Sequence, residues 1–161
     1  MLYQKIYKIL TYILYPFAFL FAINVVSSLL VALANPLMLV IVFVMACVPL
    51  YVFFSSKFFF KGIKEAKPCK KSLKDLIILN GVISMLFGLF LLLSSIMLIS
   101  VLNNPEILKQ LMLQMPPAQK EMYSSFSQQQ MITIFKGFVA IITPFSIVLI
   151  THIILTFNLT S

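Results

Sequence analysis

The few charged residues of this chain divide it into long apolar segments. No charge occurs between Lys8 and Lys57, a gap of 48 residues, and two more uncharged stretches cover residues 76–105 (30 residues) and 137–161 (25 residues). A bilayer core about 30 Å thick is crossed by roughly 20 helical residues. The first gap is therefore long enough for two spans and a turn, and each of the others holds one. The pattern predicts four transmembrane helices.

The predicted spans cover about residues 9–33, 37–60, 76–102 and 131–157 of a single membrane domain, 1–161. Asn35 and Pro36 separate the first two spans, since Asn tolerates turn geometry and Pro cannot continue the preceding helix. A cleaved signal peptide is the alternative for the first span, because Ala32–Ala34 resembles a cleavage site. Its apolar run of 25 residues exceeds the roughly 7–15 of a signal peptide, which favours a retained helix.

Composition supports a membrane protein. The chain is 61% apolar and 10% charged, whereas globular domains are about 45–50% apolar and about 25% charged. A water-soluble domain of 161 residues has too large a surface relative to its volume to bury so much hydrocarbon. The predicted fold class is all-α, an integral membrane four-helix bundle.

Lysine placement predicts the orientation of the bundle. All twelve cationic residues are lysines, the net charge is +8, and seven of the lysines lie in the loop of residues 57–75. Lysines near span ends favour the cytoplasmic side. With both termini and this loop inside, nine lysines are cytoplasmic, and only Lys109, Lys120 and Lys136 are outside or at the outer boundary. We expect the cytoplasmic (inner or plasma) membrane of a prokaryote, with both termini cytoplasmic.

The same lysines predict the partners. Because most of the charge lies at or between span ends on one side, we expect a lipid bilayer with anionic headgroups near Lys57–Lys74, and no nucleic acid. We also expect a membrane-protein partner or a homo-oligomer. Gly81, Ser84, Gly88 and Ser95 form a stripe of small residues on the third span, and such stripes let helix backbones approach closely in lipid.

The outer loop, residues 103–130, carries its own helical signal. Asn104 is a suitable N-cap, Pro105 suits the first helical position, and Glu106 follows. Apolar residues then recur at helical spacing until Pro116 and Pro117. We predict a short amphipathic extracytoplasmic helical cap of one or two helices lying on the outer leaflet or on the bundle.

Three polar residues inside the spans are candidate site residues: His152, Asn24 and Asn80. An ionisable residue within a membrane is a hypothesis of function, and the imidazole of His152 could bind haem or relay protons. The structural alternative is a packing contact, because a neutral histidine can bond to a neighbouring carbonyl or hydroxyl group. Asn24 and Asn80 are interpreted as hydrogen-bonding contacts between helices or as part of a solute site.

No motif indicates an enzyme. The predicted spans contain no Asp or Glu, and the sequence has no nucleotide-binding loop, no HExxH and no Cys/His cluster. We predict no catalytic residue, cofactor or metal site. The favoured function is a non-catalytic scaffold or accessory subunit. The alternative is a small carrier or channel for a neutral or lipid-like solute, and the third hypothesis is a haem- or quinone-binding protein that uses His152.

Overall fold

Four long helices make up the computed structural model, which describes residues 2–65, 68–104, 106, 107, 110, 114 and 127–160. They are α1 (Leu2–Ala32), α2 (Pro36–Lys57), α3 (Lys71–Leu102) and α4 (Gln128–Thr160), and α2 continues as a π-helix over Phe58–Lys64. Within the described residues there is no strand. Each helix is long and apolar enough to cross a membrane. The prediction of an all-helical chain with four such helices is confirmed.

The turn between α1 and α2 forms at the residues predicted for it. Asn35 has extended backbone geometry (φ −140°, ψ 109°) and caps α2, with its Oδ1 atom accepting a hydrogen bond from the Leu37 amide at 3.0 Å. Pro36 occupies the first helical position, where a missing N–H costs nothing. The sequence therefore reverses the chain with three residues.

The start of α4 is a capping box that the apolar pattern did not reveal. The Gln130 amide donates to Ser127 Oγ at 3.2 Å, and the Ser127 amide donates to Gln130 Oε1 at 2.8 Å. This reciprocal pair satisfies two amides that a helix start leaves without partners. The helix consequently begins before Met131, where the apolar run starts.

The π segment (Phe58–Lys64) changes the geometry of the lysine-rich stretch. The Glu65 amide donates to the Phe60 carbonyl, five residues back, at 3.3 Å. A π-helix has more residues per turn than the 3.6 of an α-helix. In a regular α-helix the spacing of Lys57, Lys61 and Lys64 would place them on one face. In the π segment the three lysines therefore do not share one face.

The chain forms two compact units. One comprises Met1–Leu89 with Ile147–Ser161, and the other comprises Phe90–Ser146. In the first unit α1, α2, the beginning of α3 and the end of α4 pack around a core that includes these fully buried side chains: Tyr7, Leu14, Val48, Tyr51, Ile77, Leu149 and Ile153. In the second unit Leu102, Met131 and Val139 are buried.

Glycine allows close packing of α3 within the first unit. A Cβ atom added to Gly81 would lie 2.9 Å from Cε1 of Phe157, and one added to Gly88 would lie 3.2 Å from Cγ1 of Ile150. Both neighbours belong to α4. Two glycines of the predicted small-residue stripe therefore face another helix of the same chain. Gly137, on α4, has nothing within 4 Å of such an atom.

The predicted outer cap lies largely outside the described residues, which include only Glu106, Ile107, Gln110 and Gln114 between Asn104 and Ser127.

Candidate functional site

Five buried polar side chains meet at one end of the first unit, and we call them the His152 cluster: Tyr7, Thr11, Tyr51, His152 and Thr156. Three helices supply them. Residues four apart lie on the same face of a helix, so α1 presents Tyr7 with Thr11 and α4 presents His152 with Thr156. The remaining member, Tyr51, comes from α2.

Both nitrogens of the His152 ring have hydroxyl partners. Nε2 lies 2.9 Å from Thr11 Oγ1, and Nδ1 lies 2.8 Å from the Tyr51 hydroxyl. The ring is 0% exposed. Its centroid lies 4.4 Å from that of the Tyr7 ring, and Tyr51 meets it edge-on at 5.6 Å. The imidazole is thus enclosed by side chains from α1 and α2.

The hydrogen bonds continue beyond the imidazole. The Tyr51 and Thr156 hydroxyls are 2.7 Å apart, and Thr156 Oγ1 donates to the His152 carbonyl at 2.7 Å. The Tyr7 hydroxyl donates to the Ser55 carbonyl at 3.1 Å. Thr11 Oγ1 lies 2.8 Å from the Tyr7 carbonyl and can donate to it. Every side chain of the cluster therefore has a partner within the chain.

Two arrangements of protons fit these distances with a neutral imidazole. In one, Nε2–H donates to Thr11, Thr11 donates to the Tyr7 carbonyl, and Tyr51 donates to Nδ1. In the other, Thr11 donates to Nε2, Nδ1–H donates to Tyr51, Tyr51 donates to Thr156, and Thr156 donates to the His152 carbonyl. Because a hydroxyl both donates and accepts, each arrangement leaves both ring nitrogens bonded.

The chemistry open to the cluster is correspondingly narrow. A haem iron or another metal would have to displace Thr11 or Tyr51 to reach a ring nitrogen of His152. In the described part of the chain, no three His, Cys, Asp or Glu side chains gather where they could hold a metal ion. The geometry favours holding three helices together over binding a ligand.

The other two candidate residues lie elsewhere. Asn80 is buried on α3, and its Nδ2 donates within the helix to the Leu76 carbonyl at 2.8 Å. Asn24 faces outward on α1, and its Oδ1 accepts from Ser28 Oγ at 3.3 Å. Among the described residues no hydrogen bond joins Asn24, Asn80 and His152, so the structure does not bring the three together.

Sequence reasoning found the histidine but missed its partners. Thr11 and Tyr51 are 141 and 101 positions from His152. The one local signal was Thr156, one turn beyond His152. Hydroxyl groups are frequent in these helices, and nothing in their spacing alone distinguishes those that meet across the core.

Comparison of the chain with protein-family models, with curated proteins and with solved structures found no match.

Proposed function

We propose that this chain is a non-catalytic integral membrane protein, a scaffold or accessory subunit that associates laterally with another membrane protein or with a second copy of itself. Four helices of sufficient length and hydropathy support the membrane assignment. The proposed orientation has both termini and residues 57–75 on the cytoplasmic side of a prokaryotic cytoplasmic membrane.

Contacts at one end of the first unit support this orientation. Lys74 Nζ, at the start of α3, donates to the Thr160 carbonyl at the end of α4 at 2.9 Å. Tyr7, near the start of α1, bonds to Ser55, near the end of α2. The N-terminal helix start, the lysine-rich loop and the C-terminal helix end therefore share one end. Lysines favour the cytoplasmic side, and the described residues of this end include eight of the twelve lysines.

The proposed lateral association is supported by the contrast between the outward-facing Asn24 and the buried His152. The histidine is enclosed and fully bonded, so it offers no open site. Asn24 faces away from the fold within the span Tyr3–Ala32, and its Nδ2 has no hydrogen-bond acceptor among the described residues. An N–H donor without an acceptor in hydrocarbon costs several kcal/mol. A hydrogen bond to a neighbouring helix recovers about 0.6 kcal/mol on average and up to about 1.7.

Neighbouring residues make the same face suitable for a partner helix. Ser27 is also outward-facing, and its hydroxyl is engaged with the Ile23 carbonyl within α1. Together with Asn24 it interrupts an otherwise apolar surface with small or amide side chains. Such positions typically lie between membrane helices. We therefore assign the partner-binding surface to this face of α1.

The test compares two substitutions with the same chemistry. Asn24→Leu removes the outward amide, and Asn80→Leu removes an amide that bonds within its own helix. After gentle detergent extraction, we expect the wild type and Asn80→Leu to migrate as one defined complex, a homo-oligomer or a stoichiometric assembly with one membrane protein identified by mass spectrometry. Asn24→Leu is expected to dissociate it.

Four outcomes would contradict the proposal. The wild type could migrate as a monomer without a stoichiometric partner. Both variants could also associate to the same extent as the wild type. Either result would exclude the proposed role of Asn24. Haem absorbance that His152→Ala abolishes would favour the cofactor hypothesis. Solute flux across protein-containing vesicles, lost in the same variant, would favour a carrier or channel.

A further inference from the structure

A cavity of about 400 Å³ lies beside the π segment, between the end of α2 and the start of α3. Three of its lining residues are lysines: Lys57, Lys61 and Lys70. All three are exposed, so their ammonium groups can move over the opening. Among the described residues that line the cavity, none is acidic. The cavity therefore presents concentrated positive charge with no carboxylate to neutralise it from within.

The rest of the wall is mostly apolar. Phe54 lies three residues before Lys57 on α2, and Leu73 and Leu76 lie beyond Lys70 on α3. These apolar side chains lie closer to the apolar middles of α2 and α3 than the lysines do. In the proposed membrane placement, the lining of the cavity therefore changes from cationic to apolar along the bilayer normal.

Two of the lysines reach this cavity because they lie four residues apart and share a helix face, whereas the π segment turns the next lysine away from that face. Lys57 and Lys61 both line it, whereas Lys64 does not. Gly62 lets the following loop return closely, because a Cβ atom there would lie 2.8 Å from Cys69 Sγ. The loop then brings Lys70 to the same opening. Three cations separated in sequence are thus held around one concave surface.

We infer that this cavity binds an anionic glycerophospholipid, with its phosphate at Lys57, Lys61 and Lys70 and an acyl chain along Phe54 and Leu76. The inference rests on the membrane placement of the proposed function. Lysine binds phosphate as a point charge. An inorganic phosphate would use only the cationic rim, whereas a phospholipid also packs an acyl chain against the apolar wall.

Cys69 provides a reporter of occupancy in the unmodified protein. The chain has two cysteines: Cys47 is buried within α2, and Cys69 is partly exposed on the cavity wall. The protein is reconstituted into nanodiscs of phosphatidylcholine, with or without phosphatidylglycerol carrying the same acyl chains. The rate of maleimide modification of Cys69 is followed by peptide mass spectrometry. We expect phosphatidylglycerol to slow labelling at least fivefold.

A pair of triple variants separates a defined site from general attraction to an anionic surface. Lys57→Gln with Lys61→Gln and Lys70→Gln removes the cavity lysines. Each lysine near anionic lipid changes affinity about fivefold, so we expect this triple variant to bind phosphatidylglycerol on the order of a hundredfold more weakly and to lose the protection of Cys69. The control triple variant removes the same charge.

The control combines Lys5→Gln, Lys64→Gln and Lys71→Gln, three exposed lysines that do not line the cavity. We expect it to retain protection. Comparing each variant with and without phosphatidylglycerol cancels any direct effect of the substitutions on the thiol. Equal loss in both triple variants would overturn the site, as would equal labelling of the wild type in the two lipid compositions.

A soluble headgroup tests the lipid source of the phosphate. Glycerophosphate, which lacks acyl chains, is added to phosphatidylcholine nanodiscs at the concentration of phosphatidylglycerol used above. We expect no protection, and equal protection would overturn the role of the acyl chain. These outcomes are distinct from failure of the membrane assignment, which would appear earlier as release of the protein from membranes by alkaline carbonate.

Discussion

At the scale of single residues, the hydroxyl partners of His152 explain how a polar ring is accommodated in an apolar core. Thr11 and Tyr51 belong to two other helices and occupy both ring nitrogens. A buried polar group that loses its partner costs about 1–3 kcal/mol, more than the bond contributes when present. Loss of a single hydroxyl oxygen from the cluster should therefore destabilise the packing of three helices.

Removing one of these oxygen atoms should lower stability without changing the shape of the core. Tyr51→Phe leaves Nδ1 of His152 without its hydroxyl partner, so we expect the free energy of unfolding to fall by about 1–3 kcal/mol. Unfolding in detergent measures it. Tyr15→Phe is the matched control, because Tyr15 is an outward-facing tyrosine of α1 and should unfold as wild type does. Equal stability of the two variants would contradict the structural role of the cluster.

The residue scale also shows where sequence reasoning ends. His152 and Asn80 were recognisable as polar residues inside apolar spans, and the structure buries both. Whether such a residue bonds within its own helix, as Asn80 does, or across the core, as His152 does, depends on which helices become neighbours. That arrangement is set by long-range packing, which the local pattern of one chain does not contain.

At the scale of helices, the charge-free stretches predicted where the apolar spans lie but not where the helices begin and end. The helices α3 and α4 begin at Lys71 and Gln128, before the apolar runs that predicted them. A helix continues into polar sequence when its terminal amides find partners, as the Ser127–Gln130 pair provides. The four helices were therefore predictable from hydropathy, whereas their bounds depended on capping.

The capping box gives a local prediction. Ser127→Ala removes the oxygen that accepts from the Gln130 amide, and loss of such a cap costs about 0.5–2 kcal/mol. We expect faster amide hydrogen exchange in the first turn of α4 while the rest of the helix is unchanged. Gln129→Ala, an exposed neighbour, should exchange as wild type does. Unchanged exchange in Ser127→Ala would argue against this start of α4.

The glycines of α3 and α4 provide a test of helix packing. Gly81→Ala would place its Cβ 2.9 Å from the Phe157 ring, and we expect a loss of about 1–3 kcal/mol, as for overpacking generally. Gly137→Ala meets no atom within 4 Å and should stabilise the helix by up to about 1 kcal/mol. Unfolding of the two variants in the same detergent measures both. A stable Gly81→Ala would show that α3 is not packed this closely.

At the scale of the whole molecule, the lysine distribution has a structural counterpart. Sequence alone predicted that the N-terminus, the loop of residues 57–75 and the C-terminus lie on one side. The bonds from Lys74 to Thr160 and from Tyr7 to Ser55 bring those segments to one end. Which side of the membrane that end occupies depends on insertion, so it stays a prediction of the lysine pattern.

Cysteine labelling tests the orientation. We expect a membrane-impermeant maleimide to modify Cys69 in inverted vesicles and not in intact cells, because the loop is predicted to be cytoplasmic. Ala34→Cys, in the exposed turn between α1 and α2, should show the opposite pattern. Modification of Cys69 in intact cells would reverse the proposed topology.

The sequence separation within the His152 cluster bears on how the protein is synthesised. Tyr7 and Thr11 leave the ribosome long before His152 and Thr156, since His152 lies 141 positions after Thr11. Until then the Tyr51 hydroxyl, whose partners His152 and Thr156 both belong to α4, must be satisfied by water, by lipid headgroups or by an insertion factor. Formation of the cluster is thus coupled to arrival of α4, and a nascent chain stalled before residue 152 should expose the Tyr51 hydroxyl to membrane quality control.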